Sequence, residues 1–189
     1  MITGKRKAPK VFDQTDIGAG KDAWAITNRA RKNPKKNYLA TDFKFVDVKK
    51  YLEEWARYGE KPFPHNLHFL RGGALTAINR MAKLGKKTNQ LVIAMGVDHL
   101  SYNRYLGRIA KYAKRVLTAG GSIYFVSTWE SESFREHVVP LFEKEGYTFR
   151  ELKPNIDRQM AHSGKAAAYY SEFGQVQHEY KFTLKEGRT

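Results

Sequence analysis

Two acidic residues and a pair of glycines are spaced so as to hold a small ligand rich in hydroxyl groups. The run Asp16-Ile17-Gly18-Ala19-Gly20-Lys21-Asp22 is a glycine turn between an apolar stretch and a helix-like pattern, and Asp42 stands at the tip of the next expected strand. Glycine lets the backbone approach a ligand closely, and a helix that starts at such a turn presents unpaired N–H groups. A carboxylate about 20 residues further on can accept both hydroxyls of a ribose. A nucleoside cofactor is the ligand class this pattern suits; two glycines in an ordinary loop are the plain alternative. Asp98, just past a continuous apolar run, can orient an acceptor or take a proton, or else cap a helix starting near Ser101. Trp129, after the fifth expected strand, and Tyr169, Tyr170 and Phe173, before the last, suit stacking on an unpaired base, with packing against the sheet as the alternative. Such a stacked ring is worth about 1–3 kcal/mol. His65, His68, His137, His162 and His178 show no metal-ligand spacing and are expected to be surface or structural, so no metal is expected.

The elements that must position these residues alternate between two hydrophobic periods. Residues 11–17 read as a first strand, polar at Asp13 and Gln14, and 23–33 as a helix stopped by Pro34. Residues 37–41 form a short strand, and Phe45, Val48, Leu52 and Trp55 follow helical spacing up to Gly59. A third strand at 67–70 precedes a helical stripe through Ala74, Ile78, Met81 and Ala82. Residues 90–95 are a continuous apolar run of the kind buried on both faces of a parallel sheet. Tyr102, Tyr105, Leu106, Ile109, Tyr112, Ala113, Val116 and Leu117 make the clearest amphipathic helix, and Gly120-Gly121 turns it into a strand at 122–127. Ser133 and Glu136 have the spacing of a capping box for a helix closed by Gly146. Strands at 147–152 and 179–184 then end the alternation. Seven strands joined by right-handed crossovers predict an α/β fold: a doubly wound, mostly parallel sheet with helices on both faces. The expected organisation is a basic N-terminal arm, residues 1–10, and one domain over 11–189.

Charge points to the partner. Thirty-four Lys and Arg against nineteen Asp and Glu leave a formal charge of +15, a field that attracts polyanions, nucleic acid first among them. A solvated basic surface is the alternative. The excess lies in residues 5–10, in Arg29, Arg31, Lys32, Lys35 and Lys36, in residues 83–87, and along Arg104, Arg108, Lys111, Lys114 and Arg115. Lys5, Arg6, Lys7, Lys10, Arg29, Arg31 and Lys32 are expected to meet phosphates beside the glycine turn. The chain has no cysteine, which excludes disulfides, thiolate zinc sites and cysteine nucleophiles, and no apolar run of membrane-spanning length. A cytoplasmic protein is the expectation, with no membrane partner.

Over nearly its whole length the order of motifs resembles a class I S-adenosylmethionine-dependent methyltransferase, a Rossmann-like fold. Asp16-Ile17-Gly18-Ala19-Gly20 is similar to that family's first motif, whose carboxylate faces the methionine amino group, and Tyr38-Leu39-Ala40-Thr41-Asp42 to its second, with Asp42 on the ribose. Asn66-Leu67-His68-Phe69-Leu70-Arg71-Gly72-Gly73-Ala74 is similar to the adenine-binding stretch, and Leu91-Val92-Ile93-Ala94-Met95 to the strand leading into the active site. The resemblance therefore implies S-adenosylmethionine as cofactor, held by Asp16, Gly18, Gly20, Asp42, Gly73, Ala74 and Met95. Within the class, Tyr169-Tyr170-Ser171-Glu172-Phe173 and the fourth- and fifth-strand regions look most like RNA methyltransferases related to the tRNA guanine-N7 type, including relatives acting on ribosomal RNA. Two positions depart from the pattern: Asp22 stands where a third glycine is expected, and Gly73 where an acidic residue meets the adenine amino group.

The expected function is methylation of a base in structured RNA, ribosomal or transfer. The sequence Gly96-Val97-Asp98-His99 lacks the Asn/Asp-Pro-Pro-aromatic signature that serves exocyclic amines, which favours a ring nitrogen. The competing readings are a methyltransferase for a small molecule or protein, a nicotinamide-dependent oxidoreductase, and an RNA-binding module with a decayed cofactor site.

Overall fold

The structure, a computed structural model, describes residues 2–4, 6–19, 23–42, 64–94, 103–127, 131–155, 159 and 177–185. The first strands are β1 (Thr3–Gly4), β2 (Val11–Phe12) and β3 (Gln14–Ile17). β2 and β3 form one extended line, since both run parallel to β6 (Lys87–Ala94) in a single register, Val11 opposite Lys87 and Thr15 opposite Leu91. The line breaks at Asp13, which turns to the neighbouring chain: its N–H donates to the Asn37 carbonyl at 2.8 Å and its carboxylate accepts the Asn37 N–H at 2.7 Å.

The remaining strands are β4 (Tyr38–Asp42), β5 (Leu67–Arg71), β7 (Leu117–Ser127), β8 (Tyr147–Leu152) and β9 (His178–Leu184), and the order across the sheet is β1-β5-β4-β3-β6-β7-β9-β8. β5, β4, β3, β6 and β7 are parallel, β9 is antiparallel to both of its neighbours, and β1 lies antiparallel along the outer edge of β5. Apart from the two-residue β1 and β2, this is the seven-stranded, mostly parallel sheet that the alternation predicts.

Both faces are covered. α1 (Trp24–Lys32) lies on one, with Ile26 and Ala30 against Tyr38, Ala40, Leu67 and Phe69. Alternation along each strand turns Leu39, Leu70, Leu91, Ile93, Ile123 and Phe125 to the other. There they meet α2 (Ala74–Lys83), α3 (Asn103–Ala113), α4 (Ser131–His137) and α5 (Val139–Glu143). At the antiparallel end Phe134 stacks on Tyr180 at 3.7 Å and Phe142 on Phe182 at 4.2 Å, with Phe125 edge-on to Phe134, Phe142 and Phe182.

Several elements differ from the sequence reading. α3 ends at Ala113, and Leu117 opens β7 opposite Thr88 instead of continuing the helix. The register then shifts before Gln90 pairs with Ser122, and the excursion needs Gly121, where a Cβ would sit 2.8 Å from the Thr118 carbonyl oxygen. The expected capping box is absent because α4 already starts at Ser131, which puts Ser133 inside the helix. Pro140, lacking an N–H, separates α4 from α5. The helical spacing at Phe45, Val48, Leu52 and Trp55 lies outside the described residues.

The described part of the basic arm lies against the sheet. β1 pairs with β5, Ile2 and Ala8 pack on the core, and the Lys86 ammonium donates to the Ala8 and Pro9 carbonyls at 2.9 and 2.7 Å. His68 is buried opposite Gly4 of β1, edge-on to Phe12, with its pKa lowered by burial and then by Lys86.

Candidate cofactor site

Strand order reverses between β3 and β6, and in a doubly wound sheet the crevice forms at the carboxyl ends of the strands near such a point. Three chain segments are drawn together there. Ile17 pairs with Thr41, and the Ala19 N–H donates to the Thr41 carbonyl at 2.9 Å, which seats the glycine turn beside the end of β4. Asp42 pairs with Arg71, and the Gly72 N–H donates to the Asp42 carbonyl at 3.0 Å. Gly18, Asp42 and Gly73 thus stand side by side on adjacent strand ends. Gly18 has φ +69°, and among the described residues no heavy atom lies within 4 Å of the place its Cβ would take; the same holds at Gly73. Ala74 begins α2 directly behind, buried.

Asp16 is the electrostatic centre of the crevice. It sits on the α1 face of β3, 4% exposed, and its carboxylate accepts a hydrogen bond from the Gln14 side chain on the same face. Burial pushes its pKa up to about 6, against the smaller opposing pulls of Arg29 and of the Gln14 hydrogen bond. A cation brought beside this buried carboxylate would favour its ionised form. Desolvation also raises the Tyr38 pKa, with Arg29 opposing and Asp13 and Asp16 adding to it. Gln14, Asp16, Arg29 and Tyr38 thus form one polar cluster under α1. Asp42, 5% exposed, closes the other side of the glycine turn. The two carboxylates, the open space over two glycines and the start of a ten-residue helix suit a ligand that carries a cation at one end and vicinal hydroxyls beyond it.

Of the basic residues expected beside this turn, those described fall elsewhere, Arg29 excepted. Arg29 is turned toward Asp16 and Tyr38 beneath α1. Arg31 and Lys32 are in the last turn of α1, which starts near the glycine turn and runs away from it. Lys10 leads into β2, where its carbonyl accepts the Lys87 N–H at 2.9 Å. Arg6 and Lys7 precede it along the same edge, between β1 and β2. The reason is direction: in a parallel sheet, residues just before a strand lie at the opposite edge from residues just after one. Gly20, Met95, Asp98, Trp129, Tyr169, Tyr170, Phe173 and Lys5 lie outside the described residues, as does Asp22.

Sequence reading missed Gln14 as the Asp16 partner, although two polar residues alternating in an otherwise buried strand are a visible signal. It also missed Glu179. This residue is fully buried at the start of β9 and accepts from the Tyr124 hydroxyl, the Asn155 N–H at 2.7 Å and the Gln159 amide at 3.2 Å. The Gln159 amide also donates to the Gln177 carbonyl at 3.0 Å, so both ends of the connector between β8 and β9 meet here. Nearby, the Ser131 hydroxyl donates to Glu151, which also pairs with Arg135 at 2.7 Å; together these lower the Glu151 pKa.

The sheet order, the reversal and the closing antiparallel pair make this the fold of class I S-adenosylmethionine-dependent methyltransferases. The chain is similar to the 16S rRNA methyltransferase KamB, at 16% identity over 94% of this chain and 89% of that one, with a TM-score of 0.63. It is also similar to a variant of the 16S rRNA (adenine(1408)-N(1))-methyltransferase from Catenulisporales acidiphilia, solved with its cosubstrate SAM. There the identity is 14% over 98% and 90% of the two chains, with a TM-score of 0.63. Human N-acetylserotonin methyltransferase, in complex with SAM, matches at 12% identity over 93% of this chain and 48% of its own, with a TM-score of 0.58. No protein-family model and no curated protein sequence matches the chain. Among the described residues no helix is long and apolar enough to cross a membrane.

Proposed function

We propose that the chain is a methyltransferase that uses S-adenosylmethionine to modify a base in structured RNA, ribosomal or transfer. The observation that carries the reading is the buried carboxylate of Asp16 two residues before the left-handed turn at Gly18, with Asp42 on the next strand end. Asp16 would receive the methionine ammonium, Asp42 the ribose hydroxyls, and the turn at Gly73 and Ala74 the adenine edge. Gly20 and Met95 would complete this pocket. S-adenosylmethionine supplies a methyl group on a sulfonium, which an acceptor nitrogen displaces in line. The chain would supply position and exclusion of water, with Asp98 orienting the acceptor or taking its proton. Trp129, Tyr169, Tyr170 and Phe173 would hold the extruded base by stacking. The charge of +15 favours RNA over a small molecule, and two of the similar structures are named as rRNA methyltransferases.

Calorimetry with S-adenosylmethionine, S-adenosylhomocysteine and NAD tests the cofactor. Asp42→Ala is expected to weaken S-adenosylhomocysteine binding by about 3–6 kcal/mol, from two charge-assisted hydrogen bonds worth about 1.5–3 kcal/mol each. Equal affinity in parent and variant would remove Asp42 from the ribose. Nucleoside mass mapping of RNA treated with the protein and cofactor then identifies the base; methylation of small molecules alone would move the reading to a small-molecule enzyme.

A further inference from the structure

Of the cations expected beside the cofactor turn, Arg6, Lys7 and Lys10 lie at the opposite edge of the sheet, where further basic residues join them. Lys36 precedes β4, Lys10 precedes β2, Lys87 opens β6 and Arg115 precedes β7, and these strands are neighbours. Their backbones are fixed to one another: the Lys87 N–H donates to the Lys10 carbonyl, and the Lys87 ammonium to the Arg115 carbonyl, both at 2.9 Å. Strands lie about 4.8 Å apart, so the row from Lys36 to Arg115 is roughly 15 Å long. Arg6 and Lys7 approach along the same edge, and Lys35 adjoins Lys36.

Among the described residues no carboxylate forms an ion pair with this row. Lys10, Lys35, Lys36 and Arg115 are exposed, and none has a carboxylate within ion-pair distance among the described residues. The Asp13 carboxylate accepts the Asn37 N–H, and Glu145 is paired with Lys114.

We propose that this amino-end edge is a second RNA-contact surface that takes backbone phosphates, on the far side of the sheet from the candidate cofactor site. The proposal rests on the RNA reading above and deepens it. Residues 11–17 run from one edge to the other, which at about 3.3 Å per residue separates row and crevice by roughly 20 Å. An RNA that engages both must present phosphates around the molecule, so the substrate class is a large folded RNA and not a short single strand.

The test compares the parent with a Lys10→Glu, Lys36→Glu, Arg115→Glu triple variant in binding to folded small-subunit ribosomal RNA across a salt series. A Lys10→Gln, Lys36→Gln, Arg115→Gln variant guards against misfolding from charge reversal. An Arg108→Glu, Arg150→Glu, Lys181→Glu variant, altered in the middle of α3, β8 and β9 and away from the row, is the charge-matched control. The edge variants are expected to bind the RNA at least roughly tenfold more weakly at moderate salt. Their plot of log affinity against log salt should be shallower by about 2, since each lost phosphate contact removes about 0.7–0.9 from the slope. S-adenosylhomocysteine affinity should stay at the parent value. If the edge variants lose no more than the control while the parent binds and methylates RNA, the second surface is overturned and the RNA reading stands. If the parent shows no salt-dependent RNA binding, or binds phosphatidylserine vesicles in its place, both fall.

Discussion

Asp16→Asn is expected to make the ligand-free protein more stable at pH 7.5 and to abolish most of its affinity for S-adenosylmethionine. Burial holds the Asp16 carboxyl at about 6 in the fold, against 3.8 when exposed. Between those values the folded chain keeps a proton that the unfolded chain has released, so stability falls as pH rises from about 4 to about 6. Above that range the full penalty persists. A displacement of this size corresponds to about 3 kcal/mol, which Asn removes while still accepting from Gln14. Urea unfolding of parent and variant at pH 4 and pH 7.5 checks it: the two should be close in acid and diverge at pH 7.5, the variant ahead. Parallel behaviour would mean that Asp16 does not titrate in this range. The ligand ammonium requires the ionised carboxylate, so parent affinity for S-adenosylhomocysteine should also drop as pH falls below about 6.

Glu179→Ala is expected to cost about 3 kcal/mol or more of stability. Its carboxylate accepts from three donors: the Tyr124 hydroxyl, the Asn155 N–H and the Gln159 amide. Each donor left buried and unpaired costs about 1 kcal/mol or more. Glu179→Gln keeps one acceptor oxygen in place and should recover part of the loss. Amide exchange at Asn155 should accelerate in both variants, more in Ala. An Ala variant within about 0.5 kcal/mol of the parent would show that water satisfies these donors as well as Glu179 does.

The alternation of elements was legible because a parallel sheet buried on both faces leaves continuous apolar runs, as at Leu91, Val92 and Ile93, between helices with one apolar stripe. The convergence of Asp16, Gly18 and Asp42 was legible for the same reason: residues that end successive parallel strands share one edge. That rule also sends Lys10 and Lys36, which precede their strands, to the other edge, and charge density alone does not carry this direction. Leu117 misled because a buried leucine four residues beyond Ala113 continues a helical stripe as well as it opens a strand. Glu179 left no local trace, since its partners are distant in sequence.

Strand order also governs the sequence in which this sheet can be completed during synthesis. β3 lies between β4, which follows it after one helix, and β6, whose Leu91 pairs with Thr15. Until β6 leaves the ribosome, the backbone of β3 has an open flank carrying the buried Ile17, a template for pairing with another nascent chain. Completion waits further on β9, which must insert between β7 and β8 after both have been made. So large a share of long-range pairing predicts slow folding, in the millisecond-to-second range or beyond, and a need for protection by chaperones while the carboxyl-terminal third is being translated.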